Sequence, residues 1–316
     1  MKKSWIIALI VLLSLAAFSG AMAAETKLVL ATGGTAGTYY PFGGAMAKIW
    51  NSKIPGMNVT AQTTGASAEN IRLVNKKEAE LALVQSDTLD FAFNAKEAFK
   101  EPLKEMGAIA VLYPEIIQVV VRADSPAKSF ADLKGMKIGV GAPGSGTEAN
   151  FRQLLDIYGL SKDDIKGQYL SFSESAEQFK DRHIDAFIVV AGIPNSAIVD
   201  IATQHDIRIL NIAGDAAKKL SEKYPFLAPA KIPANTYKNQ AQDVETVAVN
   251  AVLIAGKELP VDVVYNLTKT LFENQADLAS AHAKGKELNL QAAVKGVSIP
   301  FHPGAEKYYK EKGALK

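Results

Sequence analysis

The stretch Lys137–Glu148 reads KIGVGAPGSGTE, and its reading decides the fold. KIGV is a short apolar strand. Gly141-Ala142-Pro143-Gly144-Ser145-Gly146 is a turn-rich loop, and the residues that follow carry helical periodicity to about Tyr158. A strand, a Gly/Ser/Thr loop and a helix make half of a β-α-β unit. The same unit stands earlier in the chain. Lys27–Ala31 (KLVLA) is a strand, Gly33-Gly34-Thr35-Ala36-Gly37-Thr38-Tyr39-Tyr40 is a loop, and a helix follows to about Asn51.

Working outward, each unit continues in the same way. After the first helix, Asn58–Gln62 alternates like a strand and runs into Thr63–Asn70 and a second helix. Leu81–Val84 is a third strand, ending at Gln85-Ser86-Asp87. In the second unit, Gln168–Phe172 is the middle strand, Ser173–Gln178 opens a helix, and Ala186–Val190 is a strand ending at Ala191-Gly192-Ile193-Pro194-Asn195. Gly37-Thr38 corresponds to Gly146-Thr147, Ser67-Ala68-Glu69-Asn70 to Ser175-Ala176-Glu177-Gln178, and Glu80 to Asp185, at offsets of 109, 108 and 105 residues. Near-constant offsets favour two similar lobes. Alternating β and α segments predict parallel sheets with crossover helices. Two long β-rich segments, Ile116–Arg122 and Val244–Ile254, lie where a chain would cross between lobes and return. The expected architecture is α/β, with two βαβ lobes joined by two crossing strands. The expected divisions are residues 25–116 with 247–316 for lobe 1, and 117–246 for lobe 2. Val261, Val264, Tyr265, Thr268, Leu271 and Phe272 form one apolar helix face, and a charged helix, Ala305–Lys312, ends the chain.

The first 23 residues are of another kind. Lys2 and Lys3 precede an apolar run, Ile6–Phe18, and Ala21-Met22-Ala23 is a small-x-small pattern. That is the form of a secretory signal peptide cleaved after Ala23, which predicts export to the periplasm. Losing two lysines from a chain of net charge +2 leaves a formally neutral protein, with no reason to expect nucleic acid. The absence of Cys excludes disulfides, thiolate metal sites, Cys nucleophiles and lipidation at Cys. An exported protein has little access to ATP or NAD.

In an open α/β sheet, ligands sit beyond the carboxyl ends of the strands. Here those ends carry Thr38, Tyr39, Tyr40, Ser67, Gln85, Ser86 and Asp87 in one lobe, and Ser145, Gly146 and Thr147 in the other. If the lobes face each other, two sets of helix N-termini converge on a cleft. Their free N–H groups suit a carboxylate without requiring Arg. Tyr39 and Tyr40 are placed to close over a ligand, and Asp87 suits an amine. Each residue also has a purely local reading: the glycines as turns, Ser67 and Ser175 as helix caps, Asp87 as an N-cap.

Stronger chemistries fail on detail. Gly139-x-Gly141-x-x-Gly144 has dinucleotide spacing, but its first Gly is inside the strand and Pro143 stands where the helix should begin. Gly141-x-x-x-x-Gly146 has P-loop spacing, but Thr147 replaces the essential Lys. His183, His205, His282 and His302 lie at least 20 residues apart and match no metal motif. No metal or cofactor is expected. Asp87 alone is a poor acid–base centre, so an enzyme is not expected either.

Taken together, Gly33–Pro41, Gln85-Ser86-Asp87, Leu112-Tyr113-Pro114-Glu115, Asp132-Leu133-Lys134-Gly135, Gly141–Glu148 and Phe301-His302-Pro303-Gly304-Ala305 resemble the TAXI family. These are the extracytoplasmic solute receptors of TRAP (tripartite, ATP-independent, periplasmic) transporters. The resemblance runs from about residue 25 to the C-terminus. It implies a two-lobe, type II-like periplasmic-binding-protein fold. It implies a receptor that captures a small organic acid, such as glutamate or 2-oxoglutarate, and delivers it to a membrane permease driven by an ion gradient. The positions matching the family's cleft loops are Thr38, Tyr39, Tyr40, Ser67, Asn70, Gln85, Ser86, Asp87, Ser145, Gly146 and Thr147, with Gly192 and Pro194 on the second lobe. The alternative is a solute-binding protein of another transporter or of a periplasmic sensor.

Overall fold

The structure is a computed structural model that describes residues 25–316. The expected signal peptide, 1–23, lies outside the described residues. Ten strands join one curled sheet: β1 (Thr26–Ala31), β2 (Met57–Gln62), β3 (Leu81–Gln85), β4 (Met106–Arg122), β5 (Lys137–Gly139), β6 (Lys166–Gln168), β7 (Ala186–Ala191), β8 (Ile207–Leu210), β9 (Ala228–Ile232) and β10 (Val244–Gly256). The main path runs β2-β1-β3-β10-β4-β7-β5-β6, with β8 beside β4 and β9 beside β10. The outer thirds are parallel, β1 against β2 and β3, and β5 against β6 and β7. Between them β4 and β10 run antiparallel to each other, with two register shifts. They are long enough to serve both lobes, and Ile116–Arg122 is only the second half of β4.

The repeat has a physical basis. Glu80 Oε2 accepts from the Val29 N–H at 2.7 Å, and Asp185 Oδ2 accepts from the Lys137 N–H at 2.8 Å. In each lobe the acid before the third strand thus ties down the first strand. The apolar clusters also come in pairs. Two contain Leu30, Phe42, Trp50 and Leu83, and Ile71, Val84 and Ile254; two contain Ile138, Phe151 and Leu154, and Phe179, Phe187 and Ile198. Each sheet half is covered on both faces, as parallel strands require.

The helices are α1 (Tyr39–Lys53), α2 (Ser67–Asn75), α3 (Ser86–Phe93), α4 (Gly146–Ile157), α5 (Phe172–Lys180), α6 (Ser196–Gln204), α7 (Gly214–Lys223), α8 (Val261–Glu273), α9 (Gln275–Ala281) and α10 (Pro303–Glu311). Among the described residues, none is long and apolar enough to cross a membrane. Three expectations need correction. The strand expected over 168–172 is Lys166–Gln168, because Ser171 and Glu174 form a capping box that starts α5 at Phe172. Ser175 therefore sits inside the helix and caps nothing. Ser67 is likewise the first helical residue, with Ala66 at the cap position and a positive φ of 73°. On α8, Val264, Thr268 and Leu271 are buried but Val261 is 47% exposed. There α10 approaches so closely that a Cβ on Gly304 would lie 2.3 Å from the Val261 carbonyl oxygen.

Candidate functional site

Five helices, α1 to α5, begin at one cavity between the lobes. Its walls include Thr38 and Tyr39, Ala66 and Ser67, Gln85, Ser145 with Gly146 and Thr147, and Ser171 with Phe172. Each lies at a strand-to-helix junction, at the end of the loop or in the first turn of the helix, so the β-α alternation itself brings these backbone N–H groups together. Gly33, Gly34, Thr64, Gly65, Ala142, Val190 and Ala191 complete most of the lining. The volume is about 80 Å³, which restricts an occupant to a small molecule.

The lobes meet around this cavity. The Ala68 N–H donates to the Gly144 carbonyl at 3.1 Å, and the Gly192 N–H donates to Thr38 Oγ1 at 3.1 Å. Asn195 Nδ2 and Ser196 Oγ both donate to the Ala36 carbonyl, at 2.9 and 3.0 Å. Gly146 passes so near Gln85 that a Cβ there would stand 1.9 Å from Oε1. Gln85 is 2% exposed, lines the cavity, and its Oε1 has no hydrogen-bond partner. A buried amide left unsatisfied in a cavity wall is a seat for a polar ligand group.

Of the residues expected from sequence, Thr38, Tyr39, Ser67, Gln85, Ser145, Gly146 and Thr147 line the cavity. The others do not, and each has another task. Tyr40 is 36% exposed and turned away along α1. Asn70 is fully buried, and its amide donates to the Thr32 and Leu83 carbonyls at 2.6 and 2.7 Å, tying β1 to β3. Ser86 Oγ accepts from the Asn250 N–H at 3.3 Å. Asp87 is fully buried and reaches across the lobe contact: its Oδ2 accepts from Asn150 Nδ2 at 2.8 Å and Gln153 Nε2 at 3.2 Å, both on α4. Its Oδ1 accepts from the Thr88 N–H at 2.6 Å. Burial pushes its carboxyl up, and these bonds oppose the shift. Gly192 and Pro194 line a second small cavity with His282 and Lys284. The Lys284 stem passes close by: a Cβ on Gly192 would lie 2.6 Å from its Cε, so a side chain there would displace the lysine.

The one charged residue of the cavity wall escaped the sequence reading. Glu115, on β4, is 2% exposed and lines the same space. Its Oε2 accepts from the Tyr39 hydroxyl at 2.7 Å. Burial pushes its carboxyl up to about 8, raised further by nearby Asp87 and opposed by the Tyr39 hydroxyl and by Lys284. Burial and Glu115 also hold the Tyr39 phenol well above its ordinary value. The signal was present in the sequence: Glu115 is the one charged residue in Met106–Val121. A lone acid in so apolar a run needs a reason. Among the described residues, no Lys, Arg or His lines the cavity.

A curled sheet and paired βαβ lobes with a small cavity between them define the fold of periplasmic solute-binding proteins. The model of the NMT1-like family matches residues 30–313, and the chain belongs to that family. Similar solved structures include MatC of Rhodopseudomonas palustris with bound malate, at 12% identity over 82% of this chain and 88% of that one, TM-score 0.56. The alkanesulfonate-binding protein SsuA of Xanthomonas axonopodis pv. citri, bound to MOPS, is 16% identical over 91% and 85% of the two chains, TM-score 0.51. A protein described as a periplasmic transporter is 16% identical over 93% and 95%, TM-score 0.53. At these identities the likeness is one of fold.

Proposed function

We propose that this protein is an extracytoplasmic solute-binding receptor of a TRAP transporter of the TAXI type. Exported to the periplasm and cleaved after Ala23, it captures a small organic acid between its lobes and delivers it to the membrane permease subunits. The lobes on this reading are 25–116 with 247–316, and 117–246. β4 and β10 act as the hinge. A ligand that touches both lobes favours the closed arrangement by its differential affinity for it. The observation that carries the reading is the interlobe cavity, where five helix N-termini converge on a small space with no basic side chain. Backbone N–H groups and helix dipoles suit an anion held without an Arg clamp.

Thr38, Ser67, Gln85, Ser145, Gly146 and Thr147 are the ligand contacts on this reading, with Tyr39 as wall. The NMT1-like match supports the receptor class, and the motifs from Gly33 to Ala305 support the TAXI assignment within it. Capture of the permease by the receptor, with protein or gene neighbours of a TRAP system, separates this from a receptor of another transporter or a sensor.

The test is thermal denaturation of the mature protein, shown to be ligand-free, against glutamate, glutamine, 2-oxoglutarate, succinate, malate, alkanesulfonates and sugars. A ligand at about 1,000 times its dissociation constant adds about 4 kcal/mol. The midpoint then rises by roughly 8–16 °C with one acid class. A flat panel overturns the small-acid assignment.

A further inference from the structure

Glu115 poses a problem for an anion receptor. It is a buried carboxyl in the wall of a cavity with no basic lining residue. An anionic solute closed in beside an ionised Glu115 would face a like charge at low dielectric, where repulsion is strongest. The wall is otherwise built for an anion, from helix starts at Ser67, Gly146 and Phe172. Two features resolve the conflict. Tyr39 donates to one carboxyl oxygen, Oε2, and that is the carboxyl's one hydrogen bond among the described residues. The other oxygen is therefore free to carry a proton and donate to a solute.

We infer that Glu115 is a solute-recognising residue that binds as the neutral acid, donating a hydrogen bond to the carboxylate, so that capture of the solute takes up a proton wherever Glu115 was ionised beforehand. This rests on the reading of the cavity as a carboxylate site. The balance is simple: the proton comes from solvent, resides on Glu115 in the complex, and returns when the solute leaves.

The groups around Glu115 agree with this. Tyr39 on α1 and Tyr113 on the same strand are both held neutral by burial. Asp87 on α3 favours protonation of Glu115. Lys284, between α9 and α10, is the one nearby cation. Its ammonium is already engaged by Glu287 Oε1 at 2.6 Å, and it does not line this cavity. Burial sets the balance, and Glu115 is mostly protonated at neutral pH before any solute arrives.

The experiment is calorimetric titration of the mature protein with 2-oxoglutarate, succinate and glutamate from pH 6 to 10, in buffers of differing ionisation enthalpy. The expected result is affinity that falls about tenfold per pH unit above about 8, with up to one proton taken up per solute. In Glu115→Gln, which cannot ionise, the affinity is flat across the same range. Binding with no proton exchange and no pH dependence overturns the inference while leaving the receptor reading intact. So does binding that strengthens with pH and is lost in Glu115→Gln, because Glu115 would then seat a ligand cation. If none of the three acids binds at any pH, the small-acid reading fails. The inference is then decided on the free protein, by ¹³C NMR titration of the Glu carboxyl missing from Glu115→Gln. A midpoint near 8 supports the neutral acid, and one of 4–5 overturns it.

Discussion

The two lobes are built alike and equipped differently. Glu80 and Asp185 perform the same task, each accepting the N–H of its lobe's first strand. The loops after the first strands are both rich in Gly, Ser and Thr. Yet lobe 1 and β4 bring to the cavity Tyr39, Gln85 and Glu115, whereas lobe 2 brings Ala142, Ser145, Gly146, Thr147, Ser171 and Phe172. The ionisable and amide groups come from one side. The other side supplies helix starts, hydroxyls and close fit. Duplicated architecture thus need not mean duplicated chemistry: on the proposed reading, one lobe identifies the solute and the other closes on it.

The largest expected effect tests the side that holds ionisable groups. Glu115 has its carboxyl raised from an ordinary 4.5 to about 8 in the folded protein. The folded state therefore holds a proton that the unfolded state releases. Its contribution to stability is complete below about pH 4.5 and is lost as pH rises towards 8, at about 1.4 kcal/mol per unit and about 5 kcal/mol in all. The measurement is denaturant unfolding of ligand-free protein against pH, as the difference between wild type and Glu115→Gln. That difference cancels the contribution of Asp87, which has the same sign. A difference independent of pH would remove Glu115 from the comparison.

Next comes the contact between the lobes. Asp87→Ala leaves the amides of Asn150 and Gln153 and the Thr88 N–H without their acceptor, in a site closed to water. The expected loss is about 2–3 kcal/mol, or roughly 5–10 °C in the melting midpoint. A ligand amine on Asp87 would give a different pattern: unchanged melting and lost affinity.

The fit supplied by lobe 2 is tested at Gly146. A methyl group there meets the buried Gln85 amide, whose escape is into the cavity where a solute would lie. Gly146→Ala weakens solute binding by about 30-fold, about 2 kcal/mol, with little change in ligand-free stability. Gly44→Ala is the control, since a Cβ at Gly44 meets nothing within 4 Å. Equal effects at the two glycines would say that Gly146 does not govern closure.

Strand ends and loop chemistry were legible in the sequence because they depend on local pattern. KIGV, KLVLA and the Gly-rich loops fall within a residue or two of the observed elements. Seven of the cavity residues followed from one rule, that ligands lie beyond strand ends. Glu115 did not, because it sits in the middle of a crossing strand, where the rule does not look. Asn70, Ser86 and Asp87 illustrate the opposite error. They occupy the right loops, but a side chain one position along a helix turns by about 100°, enough to move it from the cavity to the scaffold. Sequence gives the loop; the first turn of the helix decides which residue faces inward.

The smallest effect separates the lobes at matched positions. Ser67 and Ser175 stand in equivalent Ser-Ala-Glu segments, and both are buried. Ser67 Oγ accepts from the Gln85 N–H at 3.1 Å, whereas Ser175 Oγ has no partner. Ser67→Ala strands a buried N–H and costs about 1 kcal/mol. Ser175→Ala removes a hydroxyl that gains nothing, so its stability is expected to stay within about 0.5 kcal/mol of wild type, or to rise. Urea denaturation of the two variants reads the difference. Equal losses would mean that the two serines still share a role, and that the division of labour between the lobes stops short of their second helices. Unequal losses would place the divergence at Gln85, where the third strand of lobe 1 carries an amide and that of lobe 2 carries Ala191.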